Sequence, residues 1–437
     1  MVWKKVKLRD LWKESKIVSE NPNPRKRIKV KLNVKGVEKR PVSEDKGKGT
    51  KYFIRKAGQF IYGKQNFHKG AFGIIPDELD GFESSSDIPT FDIIPECNPR
   101  WLFYFFKKNN FYIGLEKYSK GTGSKRIHPD KIADLEIPLP ERKEQDQIIK
   151  KIELQELDHL NLNNNFEYQN KLLTNIKQAI LQEAVQGKLV PQDPKDEPAS
   201  ELLKKIKAEK EKLIKEGKIK KQKPLSPIEE DEIPYDLPSG WVWCRLGDVC
   251  DVKGGKRIPK GYLLQNKPTD HIYIRVTDMK DGTIKDNKLK YISEEIYQLI
   301  KLYTISKDNL YITIAGTIGN VGFVPNKLDN MNLTENAAKI INYGLEKSFL
   351  KLLLSSKFAR DQFLEKVNQM AQPKLALMRI LTTIAPLPPL AEQKRIVEKV
   401  DKLIASCDEL ENKIKENKKY SENLMNAVLR ESFEDER

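Results

Sequence analysis

Residues that could perform catalysis are scattered along this sequence rather than grouped. It contains no Gly-x-x-x-x-Gly-Lys-Ser/Thr loop for a triphosphate and no Asn/Asp-Pro-Pro-Tyr/Phe stretch of the kind that grips a target amine. A nuclease motif could begin at Pro76-Asp77, but the nearest Glu-x-Lys downstream, Glu141-Arg142-Lys143, falls at a predicted helix start. The four histidines are scattered, and Cys244 and Cys250 lie too far apart, with no histidine nearby, for a zinc knuckle, which argues against a metal or triad site. We therefore expect no catalytic residue and no metal in this chain.

Side chains that can bind nucleic acid are instead common in loops that also hold glycines or aromatic residues. Gln and Asn can pair with adenine, while Lys and Arg reach guanine or phosphate. The candidates in the first half are Lys64, Gln65, Asn66, Thr122, Ser124, Lys125 and Arg126. Those in the second half are Lys256, Arg257, Arg275, Thr277, Thr317, Asn320, Gln372 and Lys374. Each loop taken alone also fits an ordinary solvated turn.

The charge balance favours a polyanionic partner. The 437 residues include 79 lysines and arginines against 63 aspartates and glutamates, which gives a formal charge of +16. Nucleic acid is the usual partner of so basic a protein, although an anionic membrane surface would fit the charge equally well. No apolar run approaches the ~18 residues that cross a bilayer, and the N-terminal residues lack the apolar core of a signal peptide. We therefore expect a cytoplasmic protein.

The sequence matches itself at long range, and this is its strongest signal. Pro138-Leu139-Pro140 recurs as Pro386-Leu387-Pro388, at an offset of 248 residues (386 − 138), and the helical segment that follows is copied without a gap. Near the start, Trp3 matches Trp241 at an offset of 238 (241 − 3). Each half therefore consists of a variable globular segment followed by a helical one.

The two helical segments are expected to form an antiparallel coiled coil. Neither proline nor glycine interrupts 141–186 or 390–436, and seam residues follow alternating spacings of four and three. Antiparallel pairing places polar layers opposite polar layers, which would determine the register. These layers join Gln155 to Ser421, His159 to Asn417 and Gln169 to Cys407. An ordinary helical hairpin or a contact between two copies is the alternative.

Two further segments have simpler interpretations. The run Trp101-Leu102-Phe103-Tyr104-Phe105-Phe106 predicts a helix packed in a domain core rather than a surface on which bases stack. Between the halves, prolines precede a predicted short helix over 199–216 that continues into a lysine-rich stretch. We interpret these lysines as a solvated linker, although they could also touch phosphates.

Several motifs together resemble the specificity subunit of type I DNA restriction-modification systems, the HsdS family. They are the Trp-x-Trp-x-x-Leu-Gly-Asp motif at 241–248, the Gly-Gly-Lys-x-Ile-Pro-x-Gly-Tyr run at 254–262 and the Pro-Leu-Pro-Pro-Leu-x-Glu-Gln run at 386–393. The first half departs from the pattern, because Lys7-Leu8-Arg9-Asp10 replaces the Leu-Gly-Asp opening and no Gly-Gly-Lys loop follows.

The resemblance implies an α+β fold with two globular α/β target recognition domains, an internal repeat, and two long helices in an antiparallel coiled coil. The implied domains are a first recognition domain at 1–138, a long helix at 139–187, a linker with a short Lys-rich helix at 188–238, a second recognition domain at 239–386 and a second long helix at 387–437. Each recognition domain would read one half of a split, asymmetric sequence in double-stranded DNA.

The resemblance also implies partners that supply the chemistry. Two methyltransferase (modification) subunits would dock on the long helices and methylate adenine, and restriction/translocase subunits would join to cleave unmodified DNA. S-adenosylmethionine, ATP and Mg are then expected on those partners, with no cofactor in this chain. Three alternatives remain: a stand-alone bipartite DNA-binding or architectural protein, an enzyme with a degenerate site, and a coiled-coil scaffold with a basic surface.

Overall fold

The computed structural model describes residues 3–42, 50–120, 125–221, 223–365 and 374–433. The chain divides into two compact units, one made of 1–168 with 413–437 and the other of 169–412. Each unit contains a globular part of mixed helix and sheet together with a segment of each long helix. The expected α+β class is therefore confirmed.

The strands of the first unit are β1 (Lys4–Lys7), β2 (Trp12–Ser15), β3 (Ile28–Val30), β4 (Val37–Lys39), β5 (Tyr52–Ile54), β6 (Phe60–Tyr62), β7 (Phe72–Ile74), β8 (Glu83–Ser85), β9 (Thr90–Ile93) and β10 (Glu136–Leu139). An antiparallel four-stranded sheet, in the order β2-β9-β6-β7, forms the centre of this unit, and β1 pairs with β10. The helices are α1 (Leu8–Leu11), α2 (Pro99–Lys107), α3 (Pro129–Ile132) and α4 (Arg142–Val185), the last of which continues into the second unit.

Aromatic side chains fill the core of the first unit. Helix α2 begins with Pro99, and the side chain of Asn98 accepts a hydrogen bond from the backbone of its first turn, which satisfies an otherwise free amide. Trp101 and Phe106 on this helix are fully buried, and the Phe106 ring lies against Phe60 of the sheet with centroids 5.7 Å apart. The prediction of a packed core helix at 101–106 is therefore confirmed.

The second unit contains an antiparallel sheet in the order β12-β21-β18-β19 and a mixed sheet in the order β16-β13-β20-β17. Its strands are β11 (Val242–Arg245), β12 (Cys250–Gly254), β13 (Ile272–Ile274), β14 (Met279–Lys280), β15 (Thr283–Ile284), β16 (Lys290–Tyr291), β17 (Thr304–Ile305), β18 (Leu310–Thr313), β19 (Val321–Phe323), β20 (Met331–Leu333), β21 (Ala337–Asn342) and β22 (Ile384–Leu387). Its helices are α5 (Ala199–Lys215), α6 (Leu246–Val249), α7 (Glu294–Ile300), α8 (Lys347–Ser355), α9 (Lys357–Leu364), α10 (Leu377–Thr382) and α11 (Leu390–Glu431), which continues into the first unit.

A buried glutamine attaches the start of each long helix to the globular part of its unit. In the first unit, Gln145 accepts a hydrogen bond from the Asn98 amide (2.8 Å) and donates one to the carbonyl of Pro140 (2.9 Å). In the second unit, Gln393 accepts from the Glu346 amide (2.8 Å) and donates to the carbonyl of Pro388 (3.0 Å). Both glutamines are fully buried, so their amides replace the water that these backbone groups would otherwise bind.

The two segments without proline or glycine each contain one long helix. Helix α4 has 44 residues and α11 has 42, which corresponds to roughly 65 Å each at the α-helical rise. Contacts between them occur within each unit. In the first, Lys418 Nζ lies 2.9 Å from Glu167 Oε1; in the second, Lys177 Nζ lies 2.7 Å from Asp408 Oδ1 and from Glu411 Oε2. The hydrogen bonds that the Lys177 ammonium donates to both carboxylates raise the pKa of Lys177 above its ordinary value.

One contact differs from the predicted pairing of polar layers. His159 Nδ1 lies 2.8 Å from the Ser421 Oγ, whereas the sequence pattern paired His159 with Asn417 and Ser421 with Gln155. Asn417 and Gln169 are exposed, and Cys407, the predicted partner of Gln169, is buried.

The end of α11 packs into the core of the first unit. Phe433, just beyond α11, packs on Trp101 with ring centroids 4.3 Å apart, and Leu429 is buried in the same cluster. The spacing of seam residues along the two helices does not predict the contacts of Phe433 and Leu429 with this core.

Candidate nucleic-acid interface

The turn after β6 presents the first group of candidate residues. Gly63 and Asn66 close the turn through backbone hydrogen bonds to Ala71, while the buried Tyr62 anchors its start. The backbone of Lys64 donates to the Asp87 carbonyl (2.9 Å) and accepts from the Ile127 amide (2.8 Å). These bonds hold the turn rigidly, with the Gln65 side chain exposed and those of Lys64 and Asn66 half-buried.

The backbone bond to Ile127 also brings the neighbouring candidate residue Arg126 beside this turn. Arg126 bonds through its guanidinium to the Asp87 carboxylate (3.2 and 3.4 Å), and Lys125 Nζ lies 3.2 Å from Glu116 Oε1. The hydrogen bond from Lys125 lowers the pKa of Glu116. Exposed pairs of this kind contribute little to stability because water screens them, so a DNA phosphate could replace the carboxylate at low cost. Thr122 and Ser124 lie outside the described residues.

The second unit repeats this arrangement after β18. The Leu375 amide donates to the Ile314 carbonyl (2.8 Å), so the exposed Lys374 stands beside the turn at 314–320 just as Arg126 stands beside the turn at 63–66. Thr313 Oγ1 accepts from the Asn320 amide (3.0 Å) and shapes this turn, which leaves the Thr317 side chain exposed. Gln372 lies outside the described residues.

Lys256 and Arg257 occupy a different part of the second unit. The chain before them passes so close to β20 that a Cβ on Gly255 would lie 2.2 Å from the Leu333 carbonyl oxygen, which only glycine permits. Arg257 is exposed and bonds through Nε to Glu335 Oε1 (2.7 Å). Burial tends to raise the pKa of Glu335, but the hydrogen bond from Arg257 helps to bring it below the ordinary value.

Arg275 is held by its own surroundings. Its guanidinium bonds to the buried carboxylate of Asp278 (2.6 and 3.1 Å) and to the Lys288 carbonyl (2.7 Å). These bonds make Arg275 a brace of the adjoining loop, while the neighbouring Thr277 side chain is exposed. In the first unit, the structure therefore places the turn at 64–66 beside Arg126. In the second unit, it places the turn that holds Thr317 and Asn320 beside Lys374.

Comparison with known proteins identifies the family. The family model described as "Type I restriction modification DNA specificity domain" matches residues 238–418. The EcoAI specificity subunit of Escherichia coli is 33% identical over 415 residues, which cover 82% of this chain and 67% of that protein. The chain belongs to the type I restriction enzyme specificity subunits. The EcoEI specificity subunit of Escherichia coli is 30% identical over 262 residues, covering 58% of this chain and 44% of that protein.

Two solved structures share the fold. The HsdS subunit from Thermoanaerobacter tengcongensis matches with a TM-score of 0.57 and 18% identity, covering 99% of this chain and 96% of that one. A second match comes from a structure described as "Structural basis underlying complex assembly and conformational transition of the type I R-M system". It has a TM-score of 0.66 and 17% identity, and the match covers 100% of this chain and 98% of that one.

This member of the specificity-subunit family also has a basic cleft that the sequence patterns did not predict. Besides Arg275 and Thr277, it is lined by Lys280, Lys285, Lys288, Lys290, Asn266 and Asn287. The spacing of its four lysines follows no helical or strand period, and lysines are frequent throughout so basic a chain. Only the folded loop shows that these side chains share one groove.

Membrane and metal features are missing from the described ranges. None of their helices combines the length and apolar composition that crossing a bilayer requires. These same ranges bring together no cluster of three or more His, Cys, Asp and Glu side chains suited to a metal ion.

Proposed function

We propose that this chain is the DNA sequence-specificity subunit of a type I restriction-modification complex and has no catalytic activity by itself. Its membership of the specificity-subunit family carries the proposal. The fold supports it, because each unit places polar and cationic side chains on a turn held by backbone hydrogen bonds. Rigid turns of this kind can read base edges without losing much conformational freedom on binding.

Each unit would read one half of a bipartite, asymmetric site in double-stranded DNA. In the first unit the reading surface comprises the turn at 64–66 with Lys125 and Arg126, and we also assign Thr122 and Ser124 to it. In the second it comprises the turn holding Thr317 and Asn320 beside Lys374, together with Gln372, Lys256 and Arg257. We also assign Arg275 and Thr277 to DNA binding, at the basic cleft. Linking two readers in one chain raises the effective concentration of the second once the first has bound.

The repeated sequence and the long helices support the remaining architecture. Domains at 1–138 and 239–386 would be the recognition domains, with helices at 139–187 and 387–437 and a linker at 188–238. The two helices would form an antiparallel coiled coil, which the His159–Ser421 and Lys177–Asp408 contacts favour. They would determine the spacing between the half-sites.

The chemistry would belong to partner subunits in the cytoplasm. Two methyltransferase subunits would bring S-adenosylmethionine and methylate adenine in both half-sites, and restriction/translocase subunits would bring ATP and Mg. This chain would provide the address and the scaffold. It would then modify or cleave no DNA when purified alone.

A selection experiment with the full chain and its methyltransferase partner tests the proposal. Replacing Gln65 and Asn66 with Ala should change the preferred bases in one half-site only, because each good bidentate pair with a base discriminates by about 1–3 kcal/mol. Gln147→Ala, an exposed glutamine on α4, is the matched control and should change neither half-site. Changes in both halves or in neither would reject the assignment of this turn.

Two outcomes would reject the function itself. Selection of a specific site at full affinity by the purified chain without a methyltransferase would favour a stand-alone DNA-binding protein. Methylation or cleavage of DNA by the purified chain alone would show that it is an enzyme.

A further inference from the structure

The basic cleft in the second unit is an ordered site. It has a volume of about 640 Å³, and one wall is the hairpin formed by β14 and β15. Asp281 and Gly282, with φ of 52° and 69°, join these strands in the left-handed conformation that suits a tight hairpin turn. The hairpin therefore fixes the backbone on both sides of the turn, including that of Lys280.

Arg275 orders the opposite side of the cleft. By bonding to both Asp278 and the Lys288 carbonyl, its guanidinium ties the start of the hairpin to the loop at 285–289. The loop then enters β16, where Lys290 pairs with Tyr273 of β13. The Lys290 ammonium bonds to the side chain of Asn266, which closes the rim.

The cations of the cleft are incompletely neutralised. Among the described residues that line it, Asp278 alone carries a carboxylate, and its buried oxygens are bonded to Arg275. Lys285 pairs with the exposed Asp281 at 3.0 Å. Neither the Lys280 nor the Lys288 ammonium forms an ion pair with any residue in the described ranges, and both side chains are exposed.

We infer that this cleft binds backbone phosphates of double-stranded DNA, with Lys280 and Lys288 as the principal contacts. The inference deepens the proposed function and rests on it: the cleft would supply sequence-independent affinity and orientation to the second unit, while the turns read bases. Asn266, Asn287 and Thr277 add neutral donors of the kind that accompany lysine at phosphate oxygens.

The lining favours a polymer backbone over a small anion. Pockets for small ligands are mostly apolar, with a few convergent polar groups, whereas Leu289 is the one aliphatic side chain among the described residues that line this cleft. Four lysines on two sides of an open groove match a chain of phosphates better than one compact anion. Lysine contacts of this type act as point charges and carry little geometric selectivity.

The test measures binding of the full chain to random-sequence duplex DNA as a function of salt. The double variant Lys280→Gln/Lys288→Gln should bind roughly tenfold more weakly, and the slope of log K against log salt should become less negative by about 1.8, as expected when two fewer phosphates are neutralised. Lys212→Gln/Lys215→Gln on α5 is the matched control, since it removes two exposed lysines that do not line the cleft. It should leave the slope nearly unchanged.

Sequence selection separates this inference from the proposed function. If the double variant selects the same bipartite site as the unaltered chain, but with the smaller slope, the cleft is a phosphate contact. If both proteins select that site with equal slopes, the inference fails and the proposed function stands. If the unaltered chain with its methyltransferase partner selects no site, the proposed function fails, and the inference fails with it.

A competition arm distinguishes DNA from a free anion. Inorganic pyrophosphate should displace duplex DNA no better than sodium sulfate at equal ionic strength. Saturable micromolar binding of pyrophosphate that the double variant abolishes would assign the cleft to a small anion and overturn the inference.

Discussion

The starts of the two long helices show the same framework in different surroundings. Trp3 donates from its indole nitrogen to Glu144 (3.1 Å), and Trp241 donates in the same way to Glu392 (3.0 Å). Glu144 is exposed, whereas Glu392 is 1% exposed and also accepts from Gln192 of the linker (3.2 Å). The linker thus covers one copy of the contact, so identical residue pairs acquire different electrostatic properties.

The globular parts of the two units also differ, in the side chains that form their cores. The first unit is built around aromatic rings and a buried guanidinium, Arg55, which bonds to the Ser15 carbonyl and to Thr90 Oγ1 (both 2.9 Å). Burial lowers the pKa of Arg55 to about 10. The core clusters of the second unit consist mainly of aliphatic residues such as Ile274, Ile305 and Leu333. Constant helix junctions therefore carry cores of different chemistry.

The largest effect is expected when the hydrogen bonds of the buried Arg55 in the first unit are removed. Arg55→Ala should lower the free energy of unfolding by about 3–5 kcal/mol, because its buried partners lose their donors together. Hydrogen exchange resolved along the chain should show the decrease in protection concentrated in 3–120. Arg55→Lys is the control: it keeps the charge but cannot make the same set of bonds, and it should recover part of the stability. A decrease below about 1 kcal/mol for Arg55→Ala would contradict this account.

The next effect tests whether the two helix junctions are equivalent. Gln145→Met and Gln393→Met keep the side-chain volume but remove the hydrogen bonds, so each should cost about 2–3 kcal/mol in chemical denaturation. Gln147→Met, at an exposed position on α4, should cost much less. Costs that differ by more than about 1 kcal/mol between the two junctions would show that they are not equivalent.

The smallest effect concerns the buried glutamate. Burial raises the pKa of Glu392 above its ordinary value, despite hydrogen bonds from Trp241 and Gln192. The folded protein therefore favours the protonated form of Glu392 more than the unfolded chain does. The stability that this difference contributes is complete below the unfolded pKa of Glu392 and is lost as pH rises through its folded pKa.

Glu392→Gln should flatten this pH dependence. The difference in Tm between about pH 4.5 and about pH 7 should be smaller in the variant than in the unaltered chain. Glu144→Gln, at the exposed copy of the contact, is the matched control variant. Equal profiles for all three proteins would show that covering by the linker has no electrostatic consequence.

Local patterns were enough to predict much of the fold. The proline-bounded, uninterrupted segments predicted α4, α5 and α11, and the aromatic run predicted the buried helix α2. The offset of 248 also placed Arg126 and Lys374 at equivalent positions, where each stands beside a turn. These features depend on residues close together in sequence, or on direct matches between its halves.

Contacts between distant residues decided the rest. Phe433 packs on Trp101, Asp87 pairs with Arg126, and Gln192 of the linker bonds to Glu392. The basic cleft likewise formed only when a hairpin and Arg275 gathered its lysines. Periodicity and motifs specify which segments form helices and turns, but burial and charge pairing depend on which distant side chains meet, and only tertiary packing determines that.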